Sequence, residues 1–313
     1  MKHGMRWLGA LAAFAGAVSA GAGCRHAPAN PEGPAIPQGI VERVFAADPP
    51  PPGVAVPALP PTSDPTAMLS RCVKAYGAQE TLYYQSEADV TVVLNKTPQQ
   101  VHQSILIKLD RPGGQGMLAI KDPIKGTQLS TADARYVVDY EGATNRYIRR
   151  ARQGSFRELL DHLDRLYPQL LSPITFLRVG SLAFEPGSAR AEPESEVRGK
   201  PAFVVRVNLS ASYLREFATR AFQKPLEPAS REVTLWLDPA TGLLLKSSLN
   251  LSWTGRVQNQ AGTTVLFNPS VSGTETTARF VPNPRFGAEE FRFLPPEKAR
   301  EVPVESRRQA LPR

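Results

Sequence analysis

Cysteine is scarce in this chain of 313 residues, which contains only two copies, Cys24 and Cys72. They form no C-x-x-C pair and have no nearby histidine, so the signatures of redox and zinc sites are absent. The sequence also lacks a Gly-rich phosphate loop, a G-x-S-x-G elbow and an H-E-x-x-H pair. These absences argue against an enzyme, and we expect neither a cofactor nor a metal.

Histidine is almost as scarce, with four copies. Of these, His102 falls in a predicted strand and His162 in a predicted helix. Asp161, His162 and Asp164 form the one group that resembles a metal or acid–base site. Side chains at i+1 and i+2 point in different directions on a helix, so the favoured interpretation is a solvated helix face.

No basic stretch interleaved with aromatic residues is present, and a nucleic-acid partner is therefore not expected. The net charge of +8 arises from 37 Lys and Arg against 29 acidic residues, and several of the cations lie near the chain ends. This basic periphery suits a protein that works beside anionic lipid, and it equally suits a protein that is merely soluble.

The longest apolar run, Trp7 to Val18, is short for a transmembrane helix and follows a basic N-terminus, a pattern typical of an export signal. Gly21-Ala22-Gly23-Cys24 resembles the lipobox of bacterial lipoproteins, although Leu is usual where Gly21 stands. We expect residues 1–23 to be a signal peptide and Cys24 to be lipidated, incorporating palmitate. Ordinary cleavage after Ala20 or Ala22, which would leave a soluble periplasmic protein, is the alternative.

Two further expectations depend on Cys24. Arg25, rather than Asp, follows it, which resembles an address to the outer membrane, with the protein facing the periplasm. The alternative for the thiol is a disulfide with Cys72, since exported proteins meet an oxidising compartment. Cys72 lies on an apolar helical face, however, where a buried thiol behaves as a small hydrophobic group.

Proline is concentrated in one segment, with 12 copies among residues 27–66. This composition predicts extended polyproline structure without a packed core. We therefore divide the chain into a signal peptide (1–23), a lipidated cysteine with a disordered tether (24–65), a folded domain (66–302) and a disordered tail (303–313).

The folded domain is predicted to be α+β and mostly antiparallel, because alternating apolar residues recur between frequent turn signals. Asp238 to Gly242 is predicted to be a hairpin loop, with glycine where positive φ is needed. The predicted strands are 81–94, 101–109, 117–120, 127–131, 134–140, 146–150, 203–209, 233–237, 243–253 and 263–280.

Helices are predicted at three places. Met68, Cys72 and Tyr76 show the 3–4 spacing of a first helix. Ser155 and Glu158 form a capping box for a second helix, which we expect to end at Pro168. A third apolar stretch, 170–179, would pair with the second as a helical hairpin across the sheet, and the polar segment 185–196 is predicted to be loose.

This order of elements, together with three local motifs, resembles the LolA/LolB lipoprotein-carrier superfamily over residues 66–302. The motifs are KLDRPGG (108–114), LSTADARYVVDY (129–140) and FRFLPPEKAREV (291–302). Ala134 departs from the family, whose turn usually has Gly there. The resemblance implies an unclosed half β-barrel whose helices cover the concave face and enclose an apolar cavity for acyl chains.

The implied function is that of a non-enzymatic envelope lipoprotein. It would bind acyl chains, lipids or lipoproteins, attach to the membrane through its N-terminal lipid, and take part in transfer to the outer membrane. The alternative is a sensor or assembly protein similar to RseB, with the same fold and an envelope protein as partner. Arg111 matches the family arginine associated with the lid and the cargo. The candidate ligand-binding residues are Val90, Val92, Ile105, Ile107, Arg111, Tyr136, Val138, Leu160, Leu163, Phe203, Val205, Leu235 and Trp253, and plain core packing is the alternative for each apolar one.

Overall fold

The computed structural model describes residues 44–45, 53, 55–94, 97–122, 126–166, 171–222, 224–258, 263–287 and 289–304. The predicted signal peptide, Cys24, Pro168 and the tail from residue 305 lie outside these ranges. No helix within them has both the length and the apolar character needed to cross a membrane. Cys72 is fully buried and makes no disulfide with any described residue.

The described residues form four α-helices and thirteen strands. The helices are α1 (Pro65–Gly77), α2 (Phe156–Leu166), α3 (Pro173–Val179) and α4 (Ala211–Phe222). The strands are β1 (Thr81–Leu94), β2 (Thr97–Asp110), β3 (Gln115–Asp122), β4 (Gly126–Ala132), β5 (Tyr136–Glu141), β6 (Arg146–Ala151), β7 (Arg190–Val197), β8 (Lys200–Asn208), β9 (Glu227–Leu237), β10 (Leu244–Gln258), β11 (Thr264–Phe267), β12 (Ser270–Pro282) and β13 (Arg300–Glu301).

All the strands belong to one sheet in the order β13-β6-β5-β4-β3-β2-β1-β12-β10-β9-β8-β7, with β11 paired to β10. Every pairing is antiparallel except that of β13 with β6. The end strands β13 and β7 do not pair with each other among the described residues, so the sheet stays open. The predicted fold class, an unclosed antiparallel α+β half-barrel with helices, is confirmed.

The helices pack on one face of the sheet over two apolar cores. Helices α1, α3 and α4 cover strands β8, β9, β10 and β12, where Trp253 stacks on Phe217 with ring centroids 5.6 Å apart. Helix α2 covers β1, β2 and β3 through Leu159, Leu160 and Leu163. Val90 and Phe280 contact both cores, so the two helical groups meet along the middle of the sheet.

The opposite face carries a third core beneath the C-terminal segment. Phe291 and Phe293 pack there on side chains of β2 to β6, including Tyr140 and Tyr147. The Thr131 hydroxyl donates to the Phe291 carbonyl at 2.6 Å and so fastens the segment to β4. The FRFLPPEKAREV motif therefore covers part of the sheet face opposite the helices.

Several local predictions are confirmed by the backbone. Gly242 has a φ of +75° in the 238–242 loop, where the Asp238 carboxylate accepts from two backbone amides. The capping box forms, because the Ser155 amide donates to Glu158 and the Glu158 amide donates to the Ser155 hydroxyl. The apolar stretch that was predicted at 170–179 forms α3 from Pro173.

Two local predictions are corrected. The segment that was predicted to be loose contains the edge strand β7, whose polar residues pair along β8. Helix α4 follows β8 and has no counterpart among the predicted elements. Its apolar residues Tyr213, Leu214, Phe217, Ala218 and Ala221 have the 3–4 spacing of a buried helical stripe.

Part of the predicted tether lies against the domain. The Leu59 amide donates to the Ala240 carbonyl at 2.8 Å, and Val44 and Phe45 pack against the third core. Helix α1 begins at Pro65, next to the predicted boundary. The division of the chain into four segments remains a prediction.

Candidate functional site

A half-open groove of about 630 Å³ lies between α1, the turn after α3 and the start of α4. We call it the α1–α4 groove. Its surface is mostly apolar, and its polar side chains are hydroxyls and two carboxylates. The apolar lining consists of Leu69, Val73, Val179, Leu182, Phe184, Pro186, Gly187, Ala189 and Tyr213, and the polar lining of Thr66, Ser70, Ser181, Glu185, Ser210, Ser212 and Glu216.

Helix α1 supplies one wall of the groove. Asp64 caps the helix by accepting from the Thr66 amide at 2.9 Å, and Pro65 occupies the first turn, where no amide donor is missed. The groove residues of this helix are spaced three, one and three apart, which places them along one flank. They are Thr66, Leu69, Ser70 and Val73.

The turn after α3 supplies the opposite wall. Gly180 ends α3 with φ +57° and ψ −134°, a backbone conformation that is nearly confined to glycine. The 3₁₀ turn Gly180–Ala183 follows. It leaves Leu182 77% exposed at the rim, while Phe184 turns inward to 7% exposure near Phe176. Glycine at position 180 therefore allows the chain to leave α3 and form the turn that lines the groove.

Helix α4 closes the end of the groove. The Ser210 hydroxyl accepts from the Tyr213 amide at 3.3 Å and donates to the Leu182 carbonyl at 2.9 Å. One side chain thus caps the helix and holds the rim turn against it. Tyr213 is buried at the base of the groove, and this burial raises the pKa of its phenol.

Next to the groove, α2, α3 and α4 meet in an ionic cluster of Asp164, Arg178, Glu216 and Arg220. Arg178 Nε lies 3.2 Å from Asp164 Oδ2, and Arg178 Nη1 lies 3.2 Å from Glu216 Oε1. Arg220 contacts the same two carboxylates. Burial dominates at Asp164 and raises the pKa of its carboxyl, although the two arginines oppose that shift. Glu216 is the member that also lines the groove.

The predicted ligand-binding residues do not line this groove. Eight of the thirteen are buried in the two cores under the helices: Val92, Ile105, Ile107, Leu160, Leu163, Val205, Leu235 and Trp253. Val90 and Phe203 are partly buried against these cores. Trp253 also donates its indole N–H to the Leu214 carbonyl at 3.2 Å. Ligand contact by these side chains remains a prediction, and in the structure they pack against helices.

Tyr136 and Val138 lie on the other face of the sheet, which corrects their placement. Val138 packs in the third core with Phe291, and Tyr136 is 42% exposed. Alternate residues of a strand point to opposite faces. On β5 it is therefore Val137 and Asp139 that point towards α2.

Arg111 lies outside the groove, at the end of α1. Its Nη1 donates to the carbonyls of Gly77 and Gln79 at 2.7 and 3.1 Å. The side chain thereby pairs with the carbonyl end of the helix, where cations are favoured. A role in contacting cargo remains a prediction from the family resemblance.

Asp161, His162 and Asp164 do not form a solvated helix face, which corrects that interpretation. Asp164 is 2% exposed within the ionic cluster. His162 Nε2 lies 2.9 Å from Asp139 Oδ1, which also accepts from the Ser130 hydroxyl at 2.8 Å. His162 points away from the two aspartates, whereas Asp161 and Asp164 both approach Arg178, at 3.8 and 3.2 Å. No group of side chains suited to a metal ion is found among the described residues.

The groove residues were missed because they combine small and polar side chains on element ends. For α4, the sequence feature that indicates a helix is Ser210 as an N-cap, followed by apolar residues at 3–4 spacing. Gly180 was the signal for a sharp end of α3. Nothing in the local sequence relates these to the flank of α1, which lies more than a hundred residues away.

The fold and groove define an open antiparallel half-barrel with a helical layer on one face and an apolar groove at one end of that layer. No family model matches the chain. No curated protein matches it either.

Solved structures with a similar fold include the lipoprotein LppX of Mycobacterium tuberculosis, with 12% identity, a TM-score of 0.36, and coverage of 70% of this chain and 97% of that one. A LolA superfamily protein of Nitrosomonas europaea has 9% identity and a TM-score of 0.27, covering 74% and 99%. A putative outer membrane lipoprotein-sorting protein domain of Vibrio parahaemolyticus has 13% identity and a TM-score of 0.26, covering 72% and 94%. These likenesses concern the fold alone.

Proposed function

We propose that this protein binds an acyl chain of a lipid or lipoprotein in the α1–α4 groove and acts without catalysis. The observation that carries the proposal is the groove itself, which has a volume of about 630 Å³, a mostly apolar surface and a half-open form. Small-molecule sites are concave, mostly apolar and of about 300–1,000 Å³. An acyl chain fits this description better than a polar metabolite does.

The energetics of such binding require no reactive group. Apolar burial contributes about 25 cal/mol per Å² of surface removed from water, or about 0.8 kcal/mol for each methylene. Leu182, at the rim, exposes most of its side chain, and an acyl chain entering the groove would cover it. Leu69 and Phe184 are already buried and would form a preformed apolar wall.

We place this binding at the cell envelope on the strength of the sequence. The apolar run before Cys24 and the lipobox-like Gly21-Ala22-Gly23-Cys24 support an outer-membrane lipoprotein anchored through Cys24. The proline-rich segment 24–65 supports a tether between the anchor and the domain. Substituting Cys24→Ala in the full chain is expected to abolish palmitate incorporation and membrane fractionation, and persistence of both would exclude the anchor.

The test of binding uses the full chain with Cys24→Ala, stripped of lipid, and the uncharged fluorophore 1-N-phenylnaphthylamine. We expect saturable fluorescence enhancement. Adding Ser70→Trp, which places an indole in the groove from an exposed helical position, is expected to weaken binding at least tenfold. Lys74→Trp is the matched control, since Lys74 is exposed on the same helix but does not line the groove.

Absence of fluorophore binding, or equal affinities of the two tryptophan variants, would refute the proposal. Mass spectrometry of the protein purified from its native envelope provides an independent measurement. Acyl ligands that Ser70→Trp reduces would support the proposal. An empty groove with a stoichiometric protein partner would favour the sensor or assembly role instead.

A further inference from the structure

The polar rim of the α1–α4 groove has an unusual chemical composition. Its polar side chains are those of four serines, one threonine and two glutamates, Glu185 and Glu216. No Lys, Arg or His is among the described residues that line it. This is notable in a chain with a net charge of +8, and it bears on which lipid head group the groove accepts.

Both carboxylates already have cationic partners outside the groove lining. Glu216 Oε1 lies 3.2 Å from Arg178 Nη1 and 3.6 Å from Arg220 Nη2. Glu185 Oε1 lies 3.2 Å from Arg231 Nη1, and its Oε2 accepts from the side-chain Nδ2 of Asn208 at 3.1 Å. None of these arginines is among the residues that line the groove, so a ligand there meets carboxylate oxygen atoms rather than guanidinium groups.

An anionic head group would be poorly accommodated here. A phosphate or carboxylate needs cationic or N–H donors when it leaves water, and without them it pays a large desolvation cost. The described lining residues offer it only hydroxyl donors, and no Lys, Arg or His among them could pair with its charge. A cationic amine would find both carboxylates already paired with arginine.

Hydroxyl groups of a ligand could both donate hydrogen bonds to the polar rim and accept hydrogen bonds from it. A ligand hydroxyl can donate to a carboxylate oxygen of Glu185 or Glu216 and accept from a serine or threonine hydroxyl. Ser70, Ser181 and Ser212 are exposed along the groove and can rotate their O–H groups to suit such a partner. The side chains that face the ligand can therefore satisfy an uncharged polyol without leaving a charge unpaired.

We propose that the α1–α4 groove selects a lipid with an uncharged, hydroxyl-bearing head group, such as an acylglycerol or a glycolipid, over an anionic lipid with the same chain. This inference rests on the proposed acyl-chain binding and specifies its ligand class.

The test measures displacement of 1-N-phenylnaphthylamine from the full Cys24→Ala chain at neutral pH by monooleoylglycerol, oleate and oleylamine, each below its aggregation threshold. The three probes share the same octadec-9-ene carbon skeleton and differ in the head group. We expect monooleoylglycerol to displace the fluorophore at concentrations at least tenfold lower than oleate or oleylamine. Adding Ser70→Lys, which introduces a cation into the groove, should improve displacement by oleate at least fivefold. Thr219→Lys adds the same charge at an exposed position of α4 outside the groove and should change nothing.

The outcomes separate this inference from the proposed function. If the fluorophore fails to bind, acyl binding itself is refuted. If it binds and oleate or oleylamine displaces it as well as monooleoylglycerol does, acyl binding stands and head-group selection is refuted. An equal response of Ser70→Lys and Thr219→Lys would likewise refute the role of the rim.

Discussion

The α1–α4 groove and the ionic cluster lie side by side and are built partly from the same helices, yet they differ in almost every physical respect. The groove is open, mostly apolar and free of lining cations within the described residues. The cluster is closed and charged, with Asp164 at 2% and the Arg178 side chain at 5% exposure. Glu216 belongs to both, since it lines the groove and pairs with Arg178 and Arg220.

Helical geometry explains how neighbours in sequence come to serve such different regions. Consecutive residues of a helix are about 100° apart around its axis. Arg178 therefore turns inward to Asp164, whereas Val179 turns to the groove. Buried ion pairs contribute little net stability, but the loss of one partner is strongly destabilising. We infer that the cluster fixes α2, α3 and α4 together, so that the groove has rigid walls.

The strongest test of this contrast is removal of the central carboxylate. Asp164→Ala leaves the buried Arg178 and the partly buried Arg220 with, among the described residues, the half-exposed Glu216 and the more distant Asp161 as anionic partners. Loss of one partner from a buried pair costs about 3–5 kcal/mol, and the desolvation of the Asp164 charge that is relieved offsets part of this. We expect the free energy of unfolding in urea to fall by about 2–3 kcal/mol. Glu227→Ala, which removes an exposed partner of Arg215, should cost about 0–1 kcal/mol. Similar losses for the two variants would contradict the structural role of the cluster.

A second test acts on the turn that separates the two regions. Gly180→Ala forces alanine into φ +57° and ψ −134°, which costs about 1–3 kcal/mol of strain. We expect a loss of stability of that order together with weaker binding of 1-N-phenylnaphthylamine, because the turn builds one wall. Gly77→Ala is the control, since a Cβ there meets no atom within 4 Å and φ is not positive. That variant should keep or gain a few tenths of a kcal/mol, and equal effects would show that the turn conformation is unimportant.

A third test uses pH, because Asp139, which contacts α2, and Asp164, which belongs to α2, have pKa values shifted in opposite directions. Burial opposes ionisation of Asp139, but the hydrogen bond from His162 and the charges of His162 and Arg150 prevail and hold its pKa below the ordinary 3.8. Its stabilising contribution is therefore present above that value and is lost as the pH falls through the lower folded pKa. For Asp164, whose pKa is raised, stability instead falls as the pH rises from the ordinary value through the folded pKa.

Measuring urea stability between about pH 3 and pH 7 distinguishes these two contributions. Asp139→Asn should lose less stability on acidification than the parent chain does. Asp164→Asn should lose more, because its favourable protonation in the folded state is gone. The same pH profile for both variants would contradict the opposite shifts.

The architecture could be predicted from sequence because its signals are local. The alternation in β1 and β2, the hairpin loop at 238–242 and the capping box at Ser155 each depend on nearby residues, and the structure has all of them. The choice of face at Val138 failed because β5 packs on both sides, with α2 on one and Phe291 on the other. When both faces are buried, apolar alternation no longer indicates which face points to the helices.

The candidate site was less predictable, since it depends on distant segments meeting. Ser70, Leu182 and Ser212 are unremarkable polar or apolar surface residues in sequence. Their common position follows from the packing of α1, the turn after α3 and the start of α4. Regularly spaced apolar residues are the ones that close-packed cores require. Such spacing therefore indicates the core and not the groove.

The smallest expected change in stability comes from the rim of the groove. Leu182→Ser removes an apolar side chain that is 77% exposed and contributes little to the core. We expect the free energy of unfolding to change by less than about 0.5 kcal/mol, while the affinity for 1-N-phenylnaphthylamine falls severalfold because the ligand loses apolar contact. Leu266→Ser provides the matched control, as Leu266 is 67% exposed on β11 and outside the groove. If both variants bind the fluorophore as the parent chain does, the open side of the groove at Leu182 is not where the ligand lies.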